Sequence, residues 1–171
     1  MSSGDLPPPE VMWAGKFIRA IRRGKWEYAS RTGNMGAVVI LAEIEGKVIL
    51  VDQPRVPLGK RSLELPAGLV GDRDPSATVE STAIKELEEE TGFTADRIER
   101  LGEFYASPGM VSEGFTLVRA TGLRKIGHGG GDENEDINVH LVPREEVPRF
   151  IEQKRREGLA MDVKLLLFLD F

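Results

Sequence analysis

The sequence predicts an α/β (α+β) domain, and three features of the 171 residues carry that prediction. Two apolar runs, "GAVVILAEI" and "KVILVDQ", are joined by Glu45-Gly46, a composition suited to a hairpin turn between strands. The segment 74–91 repeats its apolar residues at helical spacing. No internal repeat or linker divides the chain, so strands and helix are expected to share one core.

The elements follow in order. Residues 1–10, "MSSGDLPPPE", are expected as a disordered leader, with a single domain over 11–171. "KFIRAI" and "KWEYAS" flank "RRGK", a hairpin with Gly24 in its turn. Val38–Leu41 and Val48–Val51 are apolar on both strand faces, which places them in the middle of a sheet. "SLELPAGLV" alternates briefly and breaks at Pro66 and Gly68. A helix is expected from Asp74-Pro75 to Thr91, with Pro75 in its first turn and Gly92 at its end. "EGFTLVRAT" and "INVHLV" predict further strands, separated by "RKIGHGGGDENED", a glycine-rich and acidic loop expected to be mobile. "PREEVPRFIEQKRREG" and "DVKLLLFLDF" are expected as closing helices.

Composition excludes several functions. With 40% hydrophobic and 30% charged residues the chain has the make-up of a globular protein. Its net charge of −5 argues against general affinity for nucleic acid or anionic membranes. The absence of cysteine removes disulfides, thiolate zinc sites and thiol nucleophiles, and suits the cytoplasm. There is no signal-peptide pattern at the start, and no apolar run reaches the ~18–20 residues of a membrane span.

The segment "IKELEEETGF" raises a chemical question. On a helical wheel at ~100° per residue, Ile84, Leu87 and Thr91 share one side, and Glu86, Glu89 and Glu90 share an arc on the other. Like charges three and four apart repel one another. Either this is a solvated helix face, or a cation is meant to sit there. Mg²⁺ prefers carboxylate and phosphate oxygens, so a set of glutamates at i, i+3 and i+4 suits it.

"GDRDPSATVESTAIKELEEETGF" resembles the Nudix box, G-x5-E-x7-R-E-U-x-E-E-x-G-U, where U is aliphatic. Gly71, Glu86, Leu87, Glu89, Glu90 and Gly92 match, with Phe93 in the last position. Two positions depart: Ala77 stands where the pattern has its first glutamate, and Lys85 replaces its arginine. Asp72, Asp74 and Glu80 are the candidates to stand in for that glutamate. The stretch from Gly36 to Val70, with its "PAG", resembles the ADP-ribose pyrophosphatase branch of the family. So do Pro108, sixteen residues past Gly92, and the "ENED" loop.

The resemblance implies a Nudix-type α/β/α sandwich with a mixed central sheet and a loop-helix-loop box. It implies Mg²⁺-dependent hydrolysis, with Mn²⁺ as a substitute, of a nucleoside diphosphate linked to X, as in ADP-ribose giving AMP and ribose 5-phosphate. The metal ligands would be Glu86, Glu89, Glu90 and the backbone carbonyl of Ala67. Glu133 is assigned as the catalytic base, with Glu135 second and Glu90 third. The glycine-rich run Gly127 to Gly131 would let the acid loop close over substrate. Arg55 would contact phosphate or ribose. Trp26 and Tyr28 are candidates to stack on the base, with core packing as their alternative. Glu113 and Pro108 would lie near the substrate, and the histidines are assigned nothing. Residues 11–30 are expected to contribute to a homodimer. Two rivals remain open: hydrolysis of another sugar nucleotide such as GDP-mannose, and a nucleotide-sensing domain that has lost catalysis, which Ala77 and Lys85 favour.

Overall fold

The computed structural model describes residues 6–33, 35–72 and 74–169. Half of the expected leader, 1–5, lies outside them, as do the last two residues of the expected closing helix. The strands are β1 (Glu10–Ala14), β2 (Ile18–Arg23), β3 (Trp26–Arg31), β4 (Gly36–Ile44), β5 (Lys47–Arg55), β6 (Lys60–Glu64) and β7 (Ala67–Val70). After helix α1 (Val79–Glu86) come β8 (Phe93–Thr94), β9 (Arg97–Phe104), β10 (Phe115–Thr121), β11 (Arg124–Lys125) and β12 (Asn138–Pro143). Helix α2 (Val147–Arg156) and β13 (Ala160–Met161) follow, and Val163–Phe168 closes as a 3-10 helix.

The eight-stranded sheet is mixed and runs β13-β6-β5-β4-β10-β9, with β12 added to β5 and β7 to β4. β4 lies parallel to β10 along its length but meets β5 only near their turn, at Glu43–Val48 and Ile44–Lys47. The sheet therefore splays into two halves that share a hinge at the β4–β5 hairpin. Alternation within the strands supplies both cores. Val38, Ile40 and Ala42 point one way with Ile49 and Val118, onto Ala83 and Leu87 of the box helix and the turn that follows it. Val39, Val48, Leu50 and Leu117 point the other way, onto Val147 and Ile151 of α2 and Leu165 and Phe168. A helix layer on each face makes the expected sandwich. Fully buried Leu87 anchors the box helix, and its truncation to Ala would cost about 2–5 kcal/mol.

Several elements differ from expectation. The helix starts at Val79 rather than Pro75, because Thr78 and Ser81 form a reciprocal capping box that fixes the N-terminus there. Val163–Phe168 winds as 3-10 rather than α. β9 and β1 were not read from the sequence: "RIERLGEF" has too few apolar residues, and Glu10 already belongs to β1. The predicted hairpin around Gly24 is present as β2–β3, but it pairs with β1 in a separate three-stranded sheet.

Candidate active site

The box helix does not end as a regular α-helix. Past Glu86 it widens into a π-helical turn, Leu87–Thr91, which Gly92 ends in the left-handed conformation at φ 74°. π turns of this kind shift the side chains that follow them. Glu86 and Glu89 stay at the surface of a cleft, whereas Glu90 swings inward and is only 3% exposed. The wheel drawn at α-helical spacing placed all three on one exposed arc. The π turn splits them into two at the surface and one beneath.

The cleft has a volume of about 410 Å³ and is lined by Arg55, Ala67, Gly68, Glu86, Glu89 and Glu135, among others. A second cleft of about 640 Å³ shares Arg55, Ala67, Gly68 and Leu69 with it and extends toward Arg31, Glu113 and Lys164. Arg55 thus stands at the junction. Its guanidinium is held by buried Glu64 through two bonds, Nε to Oε1 at 2.8 Å and Nη2 to Oε2 at 2.6 Å. Such a fork fixes the direction of the arginine before any ligand arrives. At the far side of the second cleft Arg31 is paired with Glu113.

Glu90 carries the strongest electrostatic signature. Burial pushes its carboxyl up to about 8, and the neighbouring Glu86 and Glu135 push the same way. The Ala67 N–H donates to Glu90 Oε2 at 3.1 Å, and with Arg55 opposes the shift without cancelling it. Carboxylates that repel one another around a polar cleft are the donor set a hard divalent cation relieves. Among the described residues no three acidic or histidine side chains already close around a single point.

The corner where the box departs from pattern is rebuilt. Lys85, in the arginine position, has its Nζ 3.7 Å from Glu89 Oε1. It also lowers the pKa of Asp74, after the larger effect of hydrogen bonds from Ser76. Asp72, Asp74 and Ala77 all line the cleft with Lys85. Glu80 lies elsewhere, in a two-bond ion pair with Arg100 on β9 at 2.6 and 3.0 Å. Of the three candidate stand-ins, Asp72 and Asp74 line the cleft and Glu80 does not.

The acidic loop packs directly on the π turn. Gly130 N–H donates to Glu90 O at 2.8 Å and Gly131 N–H to Glu89 O at 3.0 Å. A Cβ on Gly129 would stand 2.4 Å from the Thr91 carbonyl carbon. Gly129 therefore serves close backbone approach, which a side chain there would prevent, whereas Gly127 and Gly130 meet nothing closer than 3.8 Å. Glu135 reaches the cleft and its Oε2 accepts from the Asp132 N–H at 3.0 Å, which shapes the loop. Glu133 is exposed and does not line the cleft.

The remaining candidates are dispersed. Glu113 lines the second cleft. Pro108 sits in an exposed turn closed by Met110 and Val111 N–H groups onto Ser107 O. Trp26 and Tyr28 lie on β3, outside both clefts, with Trp26 half exposed. His140 bonds Asp52 at 2.6 Å. Sequence reasoning passed over Glu64, Gly68 and Arg31. The signal for Glu64 was a charge inside an apolar strand, a position a carboxylate occupies only when paired. Arg31 carried no local signal.

Comparison with known proteins agrees with this geometry. The chain is 39% identical over 123 residues to a methanol dehydrogenase activator of Bacillus methanolicus, covering 70% of this chain and 64% of that protein. It is 37% identical over 153 residues to an ADP-ribose pyrophosphatase of Bacillus subtilis (strain 168), covering 85% and 81%. A solved structure described as an ADP compounds hydrolase shares the fold with a TM-score of 0.69 at 23% identity, over 86% of this chain and 82% of that one. Residues 33–161 match the NUDIX domain. That span includes the cleft, the π turn and the acidic loop, and by it the chain belongs to the Nudix family.

Proposed function

We propose that the protein hydrolyses the pyrophosphate of a nucleoside diphosphate linked to a sugar, with ADP-ribose the substrate and AMP and ribose 5-phosphate the products. The observation that carries this reading is one cleft lined by Glu86, Glu89, Glu135 and a pre-oriented Arg55, with protonatable Glu90 beneath. A pyrophosphatase relative at 37% identity over most of both chains supports it. Mg²⁺, or Mn²⁺ in its place, would be held by Glu86, Glu89, Glu90 and the Ala67 carbonyl. When bound, it supplies charge neutralisation for the diphosphate and lowers the pKa of attacking water.

The chain's own residues do the rest. Arg55, fixed by Glu64, orients the diphosphate at the junction of the clefts. The second cleft offers room for the nucleoside, bounded by Arg31 and Glu113. A carboxylate of the acid loop accepts the proton from water; Glu135 already faces the cleft, and Glu133 lies two residues away. Substituting Glu133 and Glu135 separately by Gln identifies the base as the one whose loss cuts turnover by orders of magnitude while cation affinity persists.

A second copy would complete the protein. The β1–β3 sheet leaves Val11, Met12, Trp13, Phe17, Ile18 and Trp26 about half or more exposed, more apolar surface than an isolated edge sheet keeps in water. Trp26 and Tyr28 would then contact substrate only across that dimer. We place the protein in the cytoplasm, where nucleotide sugars occur. Among the described residues no helix is long and apolar enough to cross a membrane.

The test is a product assay across ADP-ribose, GDP-mannose, NADH and dinucleoside polyphosphates, with Mg²⁺ and again with EDTA. Release of AMP from ADP-ribose that EDTA abolishes is the expected result. Preferential cleavage of GDP-mannose would reassign the substrate, and binding without cleavage would make the chain a sensor. The intact set of Glu86, Glu89 and Glu90 argues against the sensor.

A further inference from the structure

We propose that Arg61 is a positioning residue, which pins the acid loop against the cleft; the inference rests on the hydrolytic reading of that cleft. Arg61 lies on β6 and lines neither cleft. Its guanidinium reaches in two directions. Inward, Nε donates to Asp52 Oδ1 and Nη2 to the Asp52 backbone carbonyl at 2.9 Å. Outward, Nη1 donates to Asp136 Oδ2 at 2.6 Å and Nη2 to the Asp136 carbonyl at 2.9 Å.

The inner end is firmly seated. Asp52 is 3% exposed on the central strand β5 and also accepts from Asn138 Nδ2 at 3.1 Å, with His140 Nε2 at 2.6 Å. Burial alone would push the Asp52 carboxyl up, yet the bonds from His140, Arg61 and Asn138 hold it below its ordinary value. A planar guanidinium bonded to the buried carboxylate and the backbone carbonyl of one strand residue has its direction set by the sheet.

The outer end is where this matters. Asp136 adjoins Glu135, and Ile137 after it is buried. The loop's opposite end is tied to the π turn through Gly130 and Gly131. Segment 131–136, which carries both Glu133 and Glu135, is thus fastened at one end to the cation-binding turn and at the other to the central sheet. The second fastening refers the position of the proton acceptor to a rigid strand. A displacement of about 1 Å at such a group costs roughly 100-fold in rate.

The experiment uses the full chain with Arg61→Met and Asp136→Asn. Asp136→Asn leaves every partner of Asp52 in place, so it reads the tether without disturbing the core. For Arg61→Met, kcat for ADP-ribose is expected to fall roughly 10- to 100-fold while KM and magnesium affinity change less than about threefold. Amide exchange over 131–137 is expected to quicken on the order of tenfold, with exchange in β4 unchanged. Asp136→Asn should move both readouts in the same direction by a smaller factor. Unchanged loop exchange in both variants overturns the tether. Faster exchange with unchanged kcat overturns its catalytic role. If the wild-type protein cleaves no nucleotide-linked diphosphate, the hydrolytic reading fails on its own, and the exchange of Asp136→Asn alone decides whether Arg61 holds the loop.

Discussion

Glu86 occupies the space that any side chain on Gly68 would fill. A Cβ on Gly68 would stand 2.2 Å from the Glu86 carboxyl carbon and 2.3 Å from Oε1. The backbone of "PAG" on β7 and the first box carboxylate are therefore built against each other, and the glycine is what lets the carboxylate lie at the cleft wall.

Gly68→Ala tests this directly. Gly68 is not in the left-handed region, so the backbone tolerates Ala, and the neighbour that must move is the end of a flexible side chain. Thermal stability is expected to change little. Magnesium affinity should fall by about 10- to 100-fold, the range for losing the support of a metal ligand. Calorimetric titration beside a melting curve checks both; equal affinity in the variant would place the cation elsewhere.

Glu90 should couple cation binding to pH. Its folded-state carboxyl lies near 8, above the ordinary 4.5, chiefly through burial. Between those values the cation-free folded protein holds a proton that the unfolded chain has released. Its stability contribution is therefore full below about 4.5 and is lost as pH rises through about 8. Cation binding must expel that proton, so affinity should rise by up to about tenfold per pH unit below 8. Calorimetry at pH 7 in two buffers of different ionisation enthalpy should register about one proton released. Glu90→Gln should abolish that release, and no release from the wild type would contradict the assignment.

Gly92→Ala should fail for two reasons at once. Its φ of 74° costs an L-residue about 1–2 kcal/mol. The added Cβ would also meet the Gly127 carbonyl oxygen at 2.4 Å, a backbone atom that cannot step aside. Denaturant unfolding should show a loss greater than the backbone cost alone, together with faster amide exchange in the acidic loop.

The exposed β1–β3 sheet predicts self-association. Sedimentation is expected to give a dimer for the wild type. Charged replacements on that sheet, Trp13→Glu with Phe17→Glu, should shift it toward monomer while leaving the cleft residues in place. A wild-type monomer at high concentration would remove the proposal that Trp26 and Tyr28 reach substrate across a partner.

Much of the site was legible because its chemistry is written locally. Glu86, Glu89, Glu90 and Gly92 lie within seven consecutive residues, and their spacing on a helix is enough to pose the cation hypothesis. The buried strands β4 and β5 were equally plain, since an unbroken apolar run has few other homes. The division of labour within the trio was not legible. It depends on the π turn, which no local propensity announces. Putting Glu133 before Glu135 could not draw on the loop's fold, in which Glu135 lines the cleft and Glu133 does not.

By itself the sequence determined the sandwich class, the box helix, the acidic cluster and the membership these imply, because periodicity, turn chemistry and motif spacing act over a few residues. Tertiary structure alone decided that Arg55 answers to Glu64, that Arg61 joins Asp52 to Asp136, and that Glu90 is buried beneath its neighbours. Those relations join distant parts of the chain. Their energies come from desolvation and from charge pairs that exist only once the sheet has brought the partners together.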